Sequence, residues 1–463
     1  MVSESRLHSG TSLTFVRFFQ SPPNLAAWRR FGSAYSHRIR RISLQFNYLE
    51  TELRLLHSIA VTQPQSCVLF PRLLWLELED HPPSSLLPNG DTLAIFMRDT
   101  VKAFRLYWTT AGCTTNLSCT YIFEAISDRM PQLTSVSLLS LDAYSNNILP
   151  DAMASMCEHL PALAELKLPI LRYNQFMNII TAISHYCPLL EILEPQCLLP
   201  STQPYNYQQA SLPLPSLKRI HLDVAWDIGF IRFFEHCPME SLQVCHLLCW
   251  EEDDEVGPSL QLSSPSDLQQ LLTSITSLPQ ISKLSLSLRV DFHVFQPVLR
   301  CSNLRSLSFD QMSMTEADFV SVGRGLPYLE SLKIGYLETR MNLRGLIDFA
   351  KHAVNLQHLE LPFSPMYPGV ANSEEAMKQL KLDMLKGFRK LRSLHLNASF
   401  LFGKWTRVVT LVLDRVLPKS CEVHVPSMTE TLRQSLELPE AIVESDEEWR
   451  RVDSVIDCKV CIT

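Results

Sequence analysis

The chain has 463 residues, with 41 Lys plus Arg against 48 Asp plus Glu, a formal net charge of −7. That balance argues against a nucleic-acid binder held by a broad basic face, and 46% hydrophobic residues are ample for a buried core. Glycine is scarce at 13 residues, so the glycine-rich turns that cradle phosphates or dinucleotides are missing.

The opening, MVSESRLHSGTSLTFVRFF, has neither the basic start nor the apolar run of a signal peptide. No later stretch reaches the roughly 20 apolar residues that span a bilayer. The 13 cysteines are an odd number at irregular spacing, as expected of reduced thiols and not of a disulfide framework. A cytoplasmic or nuclear protein, with no membrane partner, is the expectation.

In chain order, residues 1–35 read as lead-in helices and residues 36–425 as a repeat array. Residues 426–463 read as a charged tail. Within the array, leucine phrases recur: FPRLLWLEL from Phe70, MPQLTSVSL from Met130, LPALAELKL from Leu160 and LPSLKRIHL from Leu214. LPQISKLSL from Leu278, CSNLRSLSF from Cys301, LPYLESLKI from Leu326 and FRKLRSLHL from Phe388 follow. All fit one template, apolar at positions 0, 3 and 5. Position 0 is assigned to Ile39, Leu73, Val101, Leu133, Leu163, Leu190, Leu217, Met239, Ile281, Leu304, Leu329, Leu356 and Leu391, a mean spacing of about 29 residues. Proline, which played no part in that assignment, falls two residues earlier in seven of the thirteen windows: Pro71, Pro131, Pro161, Pro188, Pro215, Pro279 and Pro327. With 29 prolines in the chain, chance supplies fewer than one. The repeat is real.

Positions 3 and 5 share one face of a short strand, and positions 2, 4 and 6 share the other. A lone strand cannot bury its leucines, but parallel strands stacked with returning helices can. Helical spacing is visible in TYIFEAISDRM, QFMNIITAISHYC, FIRFFEHC, SDLQQLLTSITSL, TEADFVSVGRGL and LRGLIDFAKHA. Thr315 to Asp318 has the form of a capping box. These features predict an α/β leucine-rich-repeat solenoid of about 13 irregular repeats, a curved parallel sheet inside and helices outside. Two windows look defective. Pro195 occupies position 5 of the Leu190 window, so that strand should be short or broken, and the Met239 to Ile281 step carries the insertion WEEDDEVGPSLQLSS. Position 8 lacks the usual Asn or Cys ladder, and Cys421–Val425 reads as a closing edge strand.

The array, over roughly residues 25–425, resembles the repeat part of F-box proteins, in particular the divergent fungal F-box-like family. The likeness rests on the Cys187-Pro188, Cys237-Pro238, Leu160-Pro161 and Leu326-Pro327 openings. It also rests on the lead-in NLAAWRRFGSAYSHRIRRISL, with Trp28, Phe31, Tyr35, Arg38 and Ile39. The resemblance implies a substrate receptor that tethers a bound protein to a cullin–RING ubiquitin ligase. The F-box itself, a helical segment opening on a Leu-Pro phrase, does not precede Ile39. The chain is therefore expected either to start inside a longer gene product or to have lost that segment. A free-standing repeat scaffold is the alternative.

Candidate chemistry is sparse. His236, Cys237, Cys245, His246 and Cys249 are zinc-ligating types, but their spacing is not the paired spacing of structural sites. Cys237 falls at the buried apolar slot that Cys187, Cys301, Leu160, Leu214, Leu278 and Leu326 fill elsewhere. Cys458 and Cys461 form a C-x-x-C that reads as a frayed tail, and Val460 rules out a prenylation signal. The acidic run Glu251–Glu255 is a candidate partner contact. No nucleophile, phosphate-loop or H-E-x-x-H motif is present, and His221, His358 and His395 fall on separate repeats and should not converge. No enzyme, metal or cofactor is expected, and a zinc- or cysteine-dependent enzyme is the outlying alternative. The function should lie on the inner sheet face, at Trp75, Arg105, Tyr107, Arg219, His221, Asp223, Lys333, His358, Glu360 and His395, as a docking surface for a protein substrate.

Overall fold

Strand geometry divides each leucine phrase into a greasy face and a wet one, and the computed structural model of the chain shows the division repeat after repeat. It describes residues 13–14, 24–46, 62, 69–80, 95–108, 116–140, 148–201, 211–225, 229–250, 264–335, 341–364, 387–397, 406–425 and 460–462. The chain forms two units, Met1–Leu242 and Gln243–Thr463.

In the first unit the strands are β1 (Leu13–Thr14), β2 (Arg41–Phe46), β3 (Trp75–Asp80), β4 (Ala103–Trp108), β5 (Ser135–Ser140), β6 (Glu165–Arg172), β7 (Ile192–Leu199) and β8 (Arg219–Ala225). Each pairs in parallel with the next. The helices are α1 (Leu25–Ala34), α2 (Asn116–Arg129), α3 (Ile148–Glu158), α4 (Tyr173–Tyr186) and α5 (Gly229–His236). Register aligns Ile42, Leu76, Phe104, Val136, Leu166, Leu193 and Ile220 at position 3. All seven are buried.

The second unit repeats the plan with β9 (Val244–Trp250), β10 (Lys283–Asp291), β11 (Ser306–Ser313), β12 (Ser331–Ile334), β13 (His358–Pro362), β14 (Ser393–Asn397), β15 (Glu422–Val425) and β16 (Val460–Ile462). These too pair in parallel, in chain order. Its helices are α6 (Pro265–Thr276), α7 (Glu316–Gly325), α8 (Leu343–Ala350) and α9 (Thr406–Val416), with a 3-10 helix at Phe292–Arg300. Cys245, Leu284, Leu307, Leu332, Leu359, Leu394 and Val423 form the buried position-3 row. Each unit is thus a leucine-rich-repeat α/β solenoid. A fully buried leucine contributes roughly 1.5–3 kcal/mol, and the row at position 5 doubles the count.

Backbone hydrogen bonds tie the repeats together just before each strand. The position-1 carbonyl of one repeat accepts from the position-1 and position-2 N–H groups of the next. Arg40 accepts from Leu74 and Trp75, Leu74 from Lys102 and Ala103, and Lys102 from Thr134 and Ser135. In the second unit Ser282 accepts from Arg305 and Ser306, and Arg305 from Glu330 and Ser331. The prolines have a place in this scheme. They have no N–H to donate, and their carbonyls accept from side chains at position −1 of the following repeat. Asn303 donates to Pro279 at 2.9 Å, Asn355 to Pro327 at 2.8 Å and Ser216 to Pro188 at 2.7 Å. A side-chain ladder does exist, then, but along the proline row and not at position 8.

Several expectations are corrected. The phrase around Met239 is shifted by three residues: Val244 pairs with Lys283 and Cys245 with Leu284, which makes Leu242 position 0. Met239 takes the slot three residues earlier, its carbonyl accepting from Leu242 N–H as Leu160 does from Leu163. Cys237 is therefore not in that slot; it is buried at the end of α5. The Pro195 strand is neither short nor broken. β7 runs eight residues, and the proline instead displaces the pairing with β8 between Leu193 and Leu198, because a residue without N–H cannot complete a ladder. Cys421–Val425 contributes a strand that is not the edge, since Val460–Ile462 pairs alongside it with Cys461 opposite His424. The C-terminal residues thus contribute a strand in place of the expected fray. Helices α3 and α9 and the 3-10 turn lie where no helix was foreseen. The capping box at the start of α7 is present: Asp318 Oδ2 accepts from the N–H and O–H of Thr315 at 2.7 and 2.8 Å.

Candidate recognition face

Positions 2, 4 and 6 point away from the helices. All ten residues expected on this face are on it, and none is in the core. In the first unit the face brings Trp75, Arg105 and Tyr107 together with two residues the sequence reading did not single out, Arg41 and Glu77. Glu77 accepts from Arg41 Nη2 at 3.0 Å and from Arg105 Nη1 at 3.3 Å. Both guanidiniums lie over the Trp75 ring, at 4.7 and 5.2 Å, and Arg105 also lies 5.8 Å from the Tyr107 ring. Further along, Lys167 meets Glu194 and Glu165, and Ser135 donates to Glu165 at 2.9 Å. Arg219, His221 and Asp223 line β8, spread along the strand and outside the Trp75 cluster.

In the second unit, Lys333 meets Glu360 at 3.1 Å, and His358 Nδ1 lies 2.8 Å from Ser393 Oγ. One histidine has a histidine neighbour that the sequence reading did not single out. His395 stacks on His424 with ring centroids 4.2 Å apart, because consecutive strands carry position 4 side by side. Burial, and then the neighbouring His424, hold the His395 imidazole below its ordinary pKa, with Lys333 and His358 adding to this and Glu360 opposing it. Toward β10–β12 the face carries five serines, Ser285, Ser287, Ser306, Ser308 and Ser331, among Lys283, Asp310 and Lys333.

The missed residues had a signal. Opposite charges recur at one template position in successive windows: Arg105 one repeat after Glu77, Glu194 after Lys167, Glu360 after Lys333. A search for charge pairs about one period apart finds Glu77 but not Arg41, which sits at position 2 and meets Glu77 diagonally, and His424 is position 4 of the Cys421–Val425 strand.

The surroundings of the buried cysteines shift their thiols. Burial pushes those of Cys237 and Cys245 up to about 12, the reverse of what a nucleophile or a ligand needs. Cys187 Sγ donates to the Cys157 and Leu160 carbonyls at 3.4 and 3.7 Å, and the contact between the two thiols raises the pKa of Cys157 and lowers that of Cys187. Among the described residues, no group of three or more His, Cys, Asp or Glu is placed to hold a metal ion, and no helix is long and apolar enough to cross a membrane. The acidic run Glu251–Glu255 and Cys458 lie outside the described residues.

No protein-family model matches the chain, and no curated protein matches it. Solved structures do. One is the leucine-rich-repeat-containing protein LegL7 of Legionella pneumophila, 15% identical, covering 74% of this chain and 96% of its own, at a TM-score of 0.37. A leucine-rich-repeat protein of Leptospira interrogans is 13% identical over 88% of this chain and 100% of its own, with a TM-score of 0.36. The yeast Rad7 and Elc1 complex matches at 12% identity, 76% coverage of each chain and a TM-score of 0.39. The strand pairing described above is what defines the solenoid.

Proposed function

We propose that the chain is a non-enzymatic protein-recognition module whose partner docks on the sheet face that the helices leave uncovered. The observation that carries this reading is the content of that face: tryptophan, tyrosine, arginine and histidine at positions that the core does not need. Tryptophan, tyrosine and arginine are the usual energetic anchors of interfaces, and the parallel sheet of each unit presents its own set on one uncovered face. Within that reading, the partner is the substrate of a cullin–RING ubiquitin ligase. The support for this finer step is the Cys-Pro and Leu-Pro repeat openings and the lead-in segment, which resemble those of fungal F-box-like proteins.

Site-specific photo-crosslinking in cells tests it. A benzophenone side chain at Tyr107 or His395 should capture a partner protein. The same group at the exposed Tyr121 of α2 or Tyr186 of α4 should not. Adducts from the helix positions alone would overturn the docking face. Adducts from the sheet face with no cullin or cullin adaptor co-purifying would remove the ligase assignment and leave a free-standing recognition scaffold.

A further inference from the structure

The β2–β5 stretch of the first unit carries more hydrogen-bond donors than acceptors. Arg41 and Arg105 each direct one bond at a single carboxylate, that of Glu77, although a guanidinium offers a whole fork of N–H groups. The Glu77 side chain is only 12% exposed, whereas those of Arg41 and Arg105 are 45% and 30% exposed. The carboxylate is thus sunk beneath two cations that it half neutralises. Three further groups on consecutive strands are shielded from solvent and have no partner: Trp75 Nε1 on β3, Arg105 Nε on β4 and Ser137 Oγ on β5. The first two can only donate. Ser137 as a residue is 4% exposed and sits beside Arg105 in the register. Polar groups left in this state cost free energy that an incoming acceptor recovers.

The ligand that complements such a patch is rich in acceptors and singly negative. A planar carboxylate fits a guanidinium fork in bidentate fashion. A dianion fits worse, because Glu77 already lies against both guanidiniums and Glu79 lies opposite Tyr107 on the same face. The indole of Trp75 and the phenol of Tyr107 supply apolar surface beside the charge, which suits a polypeptide better than a small free acid. Nucleic acid is disfavoured by the carboxylates on this face and by the net charge of −7.

We infer that the β2–β5 face of the first unit docks a segment of a partner protein through an aspartate or glutamate side chain, received by Arg41, Arg105 and the indole N–H of Trp75. This rests on the reading of the sheet face as a recognition surface and names the chemistry recognised there.

The test selects binders of the full-length chain from a displayed library of random twelve-residue peptides. Affinities follow by fluorescence anisotropy, for each enriched peptide and for its copy with Asp or Glu replaced by Asn or Gln. Enriched peptides should share an acidic position, and the amide copy should bind about tenfold more weakly. Arg41→Gln and Arg105→Gln should each weaken binding by a similar factor. Glu77→Gln should tighten it several-fold by releasing both guanidiniums, a gain that a misfolded variant cannot produce. Arg29→Gln, exposed on α1 and off the sheet face, should change nothing, and circular dichroism should confirm that every variant is folded. Enriched peptides without an acidic position, but lost on Trp75→Ala, would overturn the carboxylate inference and leave the recognition face standing. Peptides bound equally by every face variant, or no enrichment at all, would overturn the inference, and the former would count against the face itself. A phosphoserine copy binding more tightly than the acidic parent would also overturn it, in favour of a phosphate.

Discussion

The two units solve the same packing problem and dress the result differently. In the first, the uncovered face around β3 and β4 is cross-braced: one glutamate, two arginines and a tryptophan hold one another in place. In the second, the face around β13–β15 stacks His395 on His424 beside one lysine–glutamate pair, and β10–β12 are rich in serine hydroxyls. Beneath both faces the position-3 rows are almost uniformly aliphatic. The difference teaches that the repeat constrains one side of the strand only. Positions 2, 4 and 6 are left free of that constraint, which is why the proposed docking surface is placed there.

The largest expected effect breaks the comparison by striking what the units share. Leu332→Ala should cost about 2–5 kcal/mol, the usual range for truncating a fully buried leucine. Its neighbour Lys333→Ala, half in solvent, should change stability by less than about 0.5 kcal/mol. Denaturant unfolding of both variants reads the contrast, and equal effects would mean that the strand's two faces are not distinct. A smaller effect sharpens the difference between the faces. Glu77→Ala strands two guanidiniums and should destabilise by about 1 kcal/mol, whereas Glu360→Ala, whose Lys333 partner is 53% exposed, should cost only about 0.3 kcal/mol. The same unfolding experiment measures both.

The smallest effect is a pH dependence confined to the second unit. The folded pKa of His395 lies below the ordinary value, so between that folded value and about 6.5 the unfolded chain binds the extra proton. Stability should therefore be greatest above about pH 6.5 and decline as pH falls through this window. His395→Gln should flatten that part of the profile, measured as melting temperature against pH. An unchanged slope would mean that His395 does not contribute.

Much of this architecture could be read from the chain. Twelve of the thirteen position-0 assignments fall in register, because alternation of leucine with polar residues is forced wherever one strand face is buried. The Met239 window failed for a definite reason: Met239 and Leu242 are both apolar and both buried, so hydrophobicity alone cannot separate a slip of three. Pro195 misled because proline usually ends strands, while here its ring is buried in the core row and only one neighbour's pairing shifts. Helices α3 and α9 escaped notice since ILPDAMASMCE and TRVVTLVLDRV carry a proline or a run of β-branched residues that mask a helical period. The face residues were legible by position, but their contacts were not. Arg41, Glu77 and Trp75 meet across 34 or 36 residues of chain, and His395 and His424 across 29, distances at which only the stacking register specifies neighbours.

Hydroxyl-radical footprinting of the intact protein, read residue by residue, tests the central claim most directly. Within single strands, Trp75, Tyr107, His358 and His395 should be oxidised, while Leu76, Phe104, Leu359 and Leu394 beside them should be protected. Alternation of reactive and protected residues along each leucine phrase is the predicted result. Equal reactivity of neighbours, or protection of whole phrases alike, would contradict an uncovered face set over a shared core.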